Sequence, residues 1–319
     1  MLEYAGRLKP CPSAVGHGKA VIDLLAGLVH PRDGHPKVLA VIQGYIDETG
    51  IHQGSKLCVI CGFFGGQGQW RRFEQDWLKA LVRYNVPLEK FHALDLINRR
   101  KFFFQWSDDQ YNGLMALLIR AVTAYKIHPV TNAIDVDAFN SFPEINRRFF
   151  TGAELRDGRL RSSGCPNRPY FVPFQKCVKR IASYAPIGGR AHFFCGLDSV
   201  FGKYATSLYR ILRTAKTLDS EFKDRLGDIA FPLAKETPQL QAADLLTYLT
   251  FQELEENINC VPQGWRKELL AKTRMAGDHS VWNKAALTES IRQTHEAFGN
   301  WERSGVKGFD HEDEQDLPD

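Results

Sequence analysis

Two consecutive apolar segments constrain most strongly how this chain can fold. The first, VLAVIQGYIDETG from Val38, is long enough for a buried strand, and it ends in the acids Asp47 and Glu48. The second, KLCVICGFFG, follows after a short turn and predicts the antiparallel partner of a hairpin. Strand-like runs then alternate with amphipathic segments. This order predicts an α/β fold, a mixed sheet flanked by helices.

Helix signals are clearest in four segments. WRRFEQDWLKALVRYN carries apolar residues at helical spacing, and SDDQYNGLMALLIRAVTAYKI opens with Ser107 as a predicted N-cap. VPFQKCVKRIASYA and TPQLQAADLLTYLTFQELEEN are also predicted helices, and residues 264–298 are expected to be largely helical. Further strands are predicted at KFHALDL, at HPVTNAIDVDAF and at RAHFFCGLD.

The composition suggests three regions along the chain. Residues 1–37, rich in Gly, Pro and His, are expected to form an N-terminal arm, and 38–300 a single domain with a basic insertion near 138–172. Residues 301–319 form an acidic tail that is expected to be disordered.

Positive charge is concentrated in one segment. The whole chain has a formal net charge of +4, but residues 145–190 hold ten Lys and Arg against only Glu154 and Asp157. Such an excess would attract a polyanion such as nucleic acid, or it is simply a solvated basic loop. The predicted nucleic-acid contacts are Arg147, Arg148, Arg159, Arg161, Lys176, Lys179 and Arg180.

Cysteine usage and hydropathy indicate a cytoplasmic protein. The seven cysteines are an odd number without a disulfide framework, which is typical of a reducing compartment. No run approaches the roughly 20 apolar residues of a membrane span, and the N-terminus lacks the pattern of a signal peptide. We therefore expect no membrane association.

Acids at the ends of apolar elements are the main chemical signal. Asp47 and Glu48 follow the first strand, Asp198 follows RAHFFCGL, and Asp244 lies in a helix that is apolar nearly all round. Burying such carboxylates is costly unless a hydrogen bond, an arginine or a cation compensates. Carboxylates that converge from separate elements favour Mg²⁺ or Mn²⁺, and two such ions could promote phosphodiester hydrolysis by a water molecule. Gln241 lies on the same helix face as Asp244.

Four motifs together resemble a known family. They are Tyr45-Ile46-Asp47-Glu48-Thr49-Gly50, Phe91-His92-Ala93, Gly196-Leu197-Asp198 and Leu240-Gln241-Ala242-Ala243-Asp244-Leu245-Leu246. Their order and spacing over about residues 38–256 resemble the bacterial family called domain of unknown function 3800. The resemblance implies an RNase H-like fold, with acids grouped around one or two divalent metals.

The resemblance also implies roles for individual residues. Asp47 would be the bridging metal ligand, Asp244 would complete the site, and Asp198 and Glu48 match further acids of the family. The chain departs from many relatives, which have a Ser-Lys step, at Lys235-Glu236-Thr237-Pro238. Glu236 is therefore an additional ligand or simply an acid at the start of a helix.

Two alternatives stay open within this site. Asp137, on the predicted strand NAIDVDAF, competes with Asp198 as the third acid. His92, at a predicted strand end, is a proton shuttle or a structural histidine.

The sequence thus predicts a metal-dependent nuclease or a related phosphoryl-transfer enzyme that uses Mg²⁺ or Mn²⁺. The alternative is a non-catalytic nucleic-acid-binding or complex-forming subunit with the same fold. Neither the choice between DNA and RNA nor the oligomeric state follows from the sequence.

Overall fold

A mixed β-sheet of six strands organises the described part of the chain, which is known from a computed structural model. The structure describes residues 41–52, 54–152, 154–156, 159–161, 167–196, 202–214, 220–259 and 278–303. The predicted arm at 1–37, and the tail beyond residue 303, lie outside these ranges.

The strands follow one another along the chain as β1 (Val41–Thr49), β2 (Leu57–Gly66), β3 (His128–Asp135), β4 (Glu154–Arg156), β5 (Arg159–Arg161), β6 (Arg190–Cys195), β7 (Leu226–Ala230) and β8 (Asp278–Trp282). The large sheet has the order β7-β6-β1-β2-β3-β8, and β4 and β5 form a separate hairpin. Strand β2 pairs antiparallel with both β1 and β3. The pairs β1–β6, β6–β7 and β3–β8 are parallel. The mixed α/β sheet predicted from the sequence is confirmed.

The described helices are α1 (Gln67–Arg83), α2 (Ala93–Ile97), α3 (Asp108–Thr123), α4 (Val136–Asn140), α5 (Glu144–Phe150), α6 (Phe171–Ser183), α7 (Gly202–Thr214), α8 (Ser220–Asp224), α9 (Pro238–Asn259) and α10 (Lys284–Arg303). Short 3₁₀ turns occur at Leu88–Lys90, Lys101–Phe103 and Ala234–Glu236. Among these helices, none combines the length and the apolar character that crossing a bilayer requires.

The two faces of β1 are covered by different helices, because successive residues of a strand point to opposite sides. Tyr45 packs against Trp70 of α1 at a ring separation of 4.7 Å, so odd-numbered residues face α1 and α9. Ile46 belongs to the core that includes α6, and Gly44 lies against Ile181 of that helix. Asp47 therefore faces α9, and Glu48 lies on the opposite face of the strand, toward α6.

Helix α9 is buried on the sheet, as its apolar sequence predicts. It packs on β1 and β2, and its buried apolar side chains are Leu240, Ala242, Ala243, Leu245, Leu246 and Leu249. The start at Pro238 agrees with the expectation that proline is tolerated at the first helical position. The predicted N-cap of α3 is also confirmed, because the Ser107 hydroxyl accepts a hydrogen bond from the Gln110 amide.

Two predicted elements are wrong, and a third is confirmed in part. KFHALDL is not a strand but a 3₁₀ turn followed by α2, where the Ala93 amide donates to the carboxylate of Asp244. The strand predicted through residue 139 ends at Asp135, whose carboxylate accepts from the Ala138 amide at 2.8 Å and starts α4. The described residues within 264–298 form strand β8, which pairs with β3, and then helix α10, which agrees with the helix predicted there.

Candidate active site

Asp47 and Asp244 meet at the end of the sheet. Asp47 lies near the carboxyl end of β1, and α9 crosses this strand so that the Thr247 hydroxyl donates to the Asp47 carbonyl oxygen at 3.3 Å. Asp244, one turn earlier on α9, is close enough for its charge to act on the Asp47 carboxyl. Both line a cavity of about 750 Å³. The structure thus brings together two acids that are 197 positions apart in the sequence.

The environment of both acids opposes ionisation. Burial raises the pKa of Asp47 well above its usual range, and the charges of Asp244 and Glu48 raise it further, against the opposing effect of the Glu48 amide. Burial likewise raises the pKa of Asp244, while the charge of His92 and the Ala93 amide, which donates to Oδ2 at 2.8 Å, counteract it. A cation bound to the two carboxylates would stabilise their ionised forms, which the surrounding protein disfavours.

Gly196 completes the wall beside Asp47. It follows β6, which pairs in parallel with β1, and its amide donates to the Ile46 carbonyl at 3.0 Å. A Cβ atom at this position would overlap Oδ1 of Asp47. A larger residue here would therefore force the Asp47 carboxylate to move. Asp198, the third predicted ligand, lies outside the described residues, and its role stays a prediction.

Glu48 reaches the cavity from a different direction. It lines the cavity and raises the pKa of Asp47, and its charge also raises the pKa of Cys58, Tyr170 and Cys195. This position follows from strand alternation, which turns neighbouring side chains to opposite faces.

Gln241 is a structural residue of the cavity wall. It is buried, and its side-chain oxygen accepts from Trp77 Nε1 at 3.0 Å. Its amide nitrogen donates to the carbonyl oxygens of Leu88 at 2.8 Å and Lys235 at 3.5 Å. Gln241 therefore holds two neighbouring 3₁₀ turns against α9.

His92 and two further acids were also candidates. His92 lines the cavity, with an exposed side chain and Nδ1 at 3.9 Å from Asp95 Oδ2. Glu236 is exposed and does not line the cavity. Asp137 was expected on a strand but lies in the first turn of α4 and is absent from the cavity lining, because β3 ends at Asp135.

Several cavity residues were not anticipated from the sequence. Asp95 is buried and forms an ion pair with Lys101 at 3.0 Å, and Lys90, Lys235 and Phe102 also line the cavity. A signal existed in the run Arg99-Arg100-Lys101-Phe102, which mixes basic and aromatic residues. The sequence does not show that this run lies at the cavity, because its residues are on short turns that have no periodic pattern.

The described residues of the basic segment do not line the cavity. Arg148 pairs with Glu144 at 2.8 Å, and Arg147 hydrogen-bonds Asn140 at 3.5 Å. On α6, Lys176 lies over the ring of Trp282 at 4.2 Å, and burial lowers the pKa of Lys179 to about 8. Of the remaining three predicted contacts, Arg180 stacks on Tyr184, and Arg159 and Arg161 lie on β5.

The donor set fits a hard divalent cation. No group of three or more His, Cys, Asp and Glu side chains converges as a metal site within the described ranges. Mg²⁺ and its analogues, however, are usually held by one or two carboxylates, with water and substrate oxygens completing the coordination. Among the described residues, the lining contains five acids (Asp47, Glu48, Glu89, Asp95 and Asp244) against three lysines, so an anionic ligand requires added positive charge.

Comparisons with known proteins give little beyond this geometry. No protein-family model and no curated protein matches the sequence. Two crystal structures of Bst-RNase HIII align with it at 12% identity. The alignment with a point mutant of that enzyme covers 84% of this chain and 76% of the mutant's chain, with a TM-score of 0.32. The alignment with its complex with Mn²⁺ covers 83% of this chain and 75% of that chain, with a TM-score of 0.33. A likeness of this strength carries no functional argument.

The raised pKa of Asp47 predicts a stability effect. Because the folded state holds this proton more tightly than the unfolded chain, stability falls as pH rises from the ordinary carboxyl value near 4 through the raised one. Asp47→Asn removes this loss, so the variant is expected to melt at a higher temperature than wild type at pH 7. Thermal unfolding in EDTA between pH 4 and pH 8 measures the gain, which should shrink toward pH 4.

The control is Asp224→Asn, which removes an exposed carboxylate from the end of α8. It should not reproduce the gain. An Asp47→Asn protein that melts at or below the wild-type temperature at pH 7 would show that the carboxyl is not held in an unfavourable environment.

Proposed function

We propose that this protein is a metal-dependent nuclease, or a related phosphoryl-transfer enzyme, of the domain of unknown function 3800 family, with an RNase H-like core. The observation that carries the proposal is the pair Asp47 and Asp244, two buried carboxyls from distant parts of the chain that line the same cavity, where the charge of Asp244 acts on Asp47. The buried cysteines at 58, 61, 177 and 195 are not in disulfides, which favours a cytoplasmic location.

The sheet supports the RNase H-like part of this proposal. Strand β1 is central in a mixed sheet, and its end carries the acid that the family resemblance makes the main metal ligand. Helix α9 brings the second acid to the same end. Acids on a central strand and a late helix are the arrangement that such a core uses to group carboxylates around a metal.

Asp47 and Asp244 would hold Mg²⁺ or Mn²⁺, with Asp198 and Glu48 as the further ligands that the resemblance implies. The bound ion would supply positive charge against the phosphoryl oxygens and Lewis acidity toward water. The chain's own residues orient the carboxylates: the Ala93 amide fixes one oxygen of Asp244, and Gly196 leaves room for Oδ1 of Asp47. The basic segment 145–190 would provide outer contacts to the phosphate backbone.

Loss of either central acid is expected to abolish cleavage. Purified wild type should cleave labelled oligonucleotides in Mn²⁺ or Mg²⁺ and not in EDTA, and Asp47→Asn and Asp244→Asn should each lower the rate at least about 100-fold, because the cation would lose one of its two central carboxylate ligands. Gel-resolved cleavage of DNA and RNA substrates provides the measurement, with circular dichroism as a check on folding.

Asp137→Asn, outside the cavity, is the matched control and should retain the wild-type rate. Equal cleavage by wild type and both active-site variants would refute the proposal. Salt-sensitive binding that is indifferent to metal, without cleavage, would favour the non-catalytic nucleic-acid-binding subunit instead.

Gly196 gives a separate prediction. Gly196→Ala should weaken Mn²⁺ binding at least about ten-fold, because the added methyl group displaces the Asp47 carboxylate. The Mn²⁺-induced rise in melting temperature, titrated with the ion, measures this affinity. Gly202→Ala, where an added Cβ meets nothing within 4 Å, is the control. Unchanged Mn²⁺ affinity in Gly196→Ala would contradict a role for Asp47 in holding the ion.

A further inference from the structure

Two lysines stand on neighbouring turns at the rim of the cavity. Lys90 ends the turn Leu88–Lys90, Lys235 lies in the turn Ala234–Glu236, and these turns pack on each other. The side chain of Gln241 binds a carbonyl oxygen of each turn, and Trp77 fixes Gln241 from the other side. The spacing of the two lysines is therefore set by a buried residue one turn before Asp244.

The charges of these two lysines are available to a ligand. Both side chains line the cavity and are exposed, and neither forms an ion pair with any residue that the structure describes. Lys101 differs, because it is paired with the buried Asp95. Unpaired lysines beside carboxylates that favour a divalent ion make a subsite for an anion such as phosphate.

An aromatic ring completes the rim. Phe102 lines the cavity and is 39% exposed, and its ring packs edge-on against Phe103 at 5.4 Å and Trp106 at 6.3 Å. The backbone on its N-terminal side takes left-handed conformations at Arg99 (φ 49°) and Lys101 (φ 50°), which are uncommon for residues other than glycine. A braced, exposed ring of this kind can stack on a nucleobase.

The size of the cavity limits what can reach the acids. About 750 Å³ is the volume of a pocket for a small molecule or a nucleotide. A base that is paired and stacked within a duplex has no free face to offer Phe102, so stacking on this ring requires an unpaired or extruded nucleotide.

Building on the proposed nuclease function, we propose that the substrate is single-stranded nucleic acid, with an unpaired base stacked on Phe102 and the adjoining phosphate held by Lys90 and Lys235. Stacking is indifferent to base identity, so the site should tolerate many sequences. The lysines and the ring would then present the strand to Asp47 and Asp244 from the rim.

Binding tests the stacking ring. In an Asp47→Asn background, to prevent turnover, fluorescence anisotropy would follow labelled oligothymidylate and oligouridylate of about 12 nucleotides, a length within the range of single-strand sites. Phe102→Leu should weaken binding at least about five-fold. The matched control is Phe104→Leu, which changes an exposed ring outside the cavity lining and should leave affinity unchanged. Equal effects of the two substitutions would overturn the proposal.

Salt dependence tests the lysines. The double variant Lys90→Gln and Lys235→Gln should make the slope of log affinity against log salt less steep by about 0.7, which is the contribution of one single-strand phosphate contact. Lys203→Gln with Lys284→Gln removes two exposed lysines outside the cavity and should keep the slope. An unchanged slope in the first pair would exclude the phosphate subsite.

Cleavage separates this inference from the proposed function. Wild type in Mn²⁺ should cut single strands at least about ten-fold faster than a blunt duplex of the same sequence. Cutting both equally would overturn the single-strand inference and leave the nuclease intact. Binding that depends on Phe102, with no cleavage of any substrate, would overturn the nuclease and support the stacking site.

Discussion

The approach of two carboxyl groups at the end of β1 determines how the rest of the site is built. Asp47 and Asp244 come from a central strand and from the buried helix packed across it. Burial raises the pKa of both carboxyls, and the charge of Asp244 raises that of Asp47 further. A fold that maintains such a pair accepts a cost in stability, which a bound cation would offset.

The surroundings of the pair serve to orient it rather than to neutralise it. The Ala93 amide and the charge of His92 favour the ionised form of Asp244, and the absence of a side chain at Gly196 leaves Asp47 its position. Lys101, which also lines the cavity, forms an ion pair with Asp95. The acids thus stay available to a ligand that brings its own positive charge.

The sequence predicts both acids because each departs from the apolar pattern around it. Asp47 ends an apolar strand, and Asp244 interrupts a helix that is otherwise apolar. Strand and helix periodicity also predicted the hairpin β1–β2 and the buried α9. Where tertiary contacts decide the conformation, the same reasoning failed. KFHALDL has the composition of a strand, but α2 forms there against Asp244.

The cavity's cations could not be predicted for a related reason. Charge excess along a sequence pointed to residues 145–190, yet Lys179 of that segment is largely buried on α6, with a lowered pKa. The lysines at the cavity come instead from short turns that Gln241 fastens together. Their meeting depends on contacts between residues about 150 positions apart, which no local pattern records.

The most direct measurement is anomalous X-ray scattering from crystals soaked in Mn²⁺. This account predicts a manganese peak bridging the carboxylates of Asp47 and Asp244. A well-ordered site without such a peak at saturating Mn²⁺, or one in which each carboxylate is occupied by its own lysine or arginine, would contradict it.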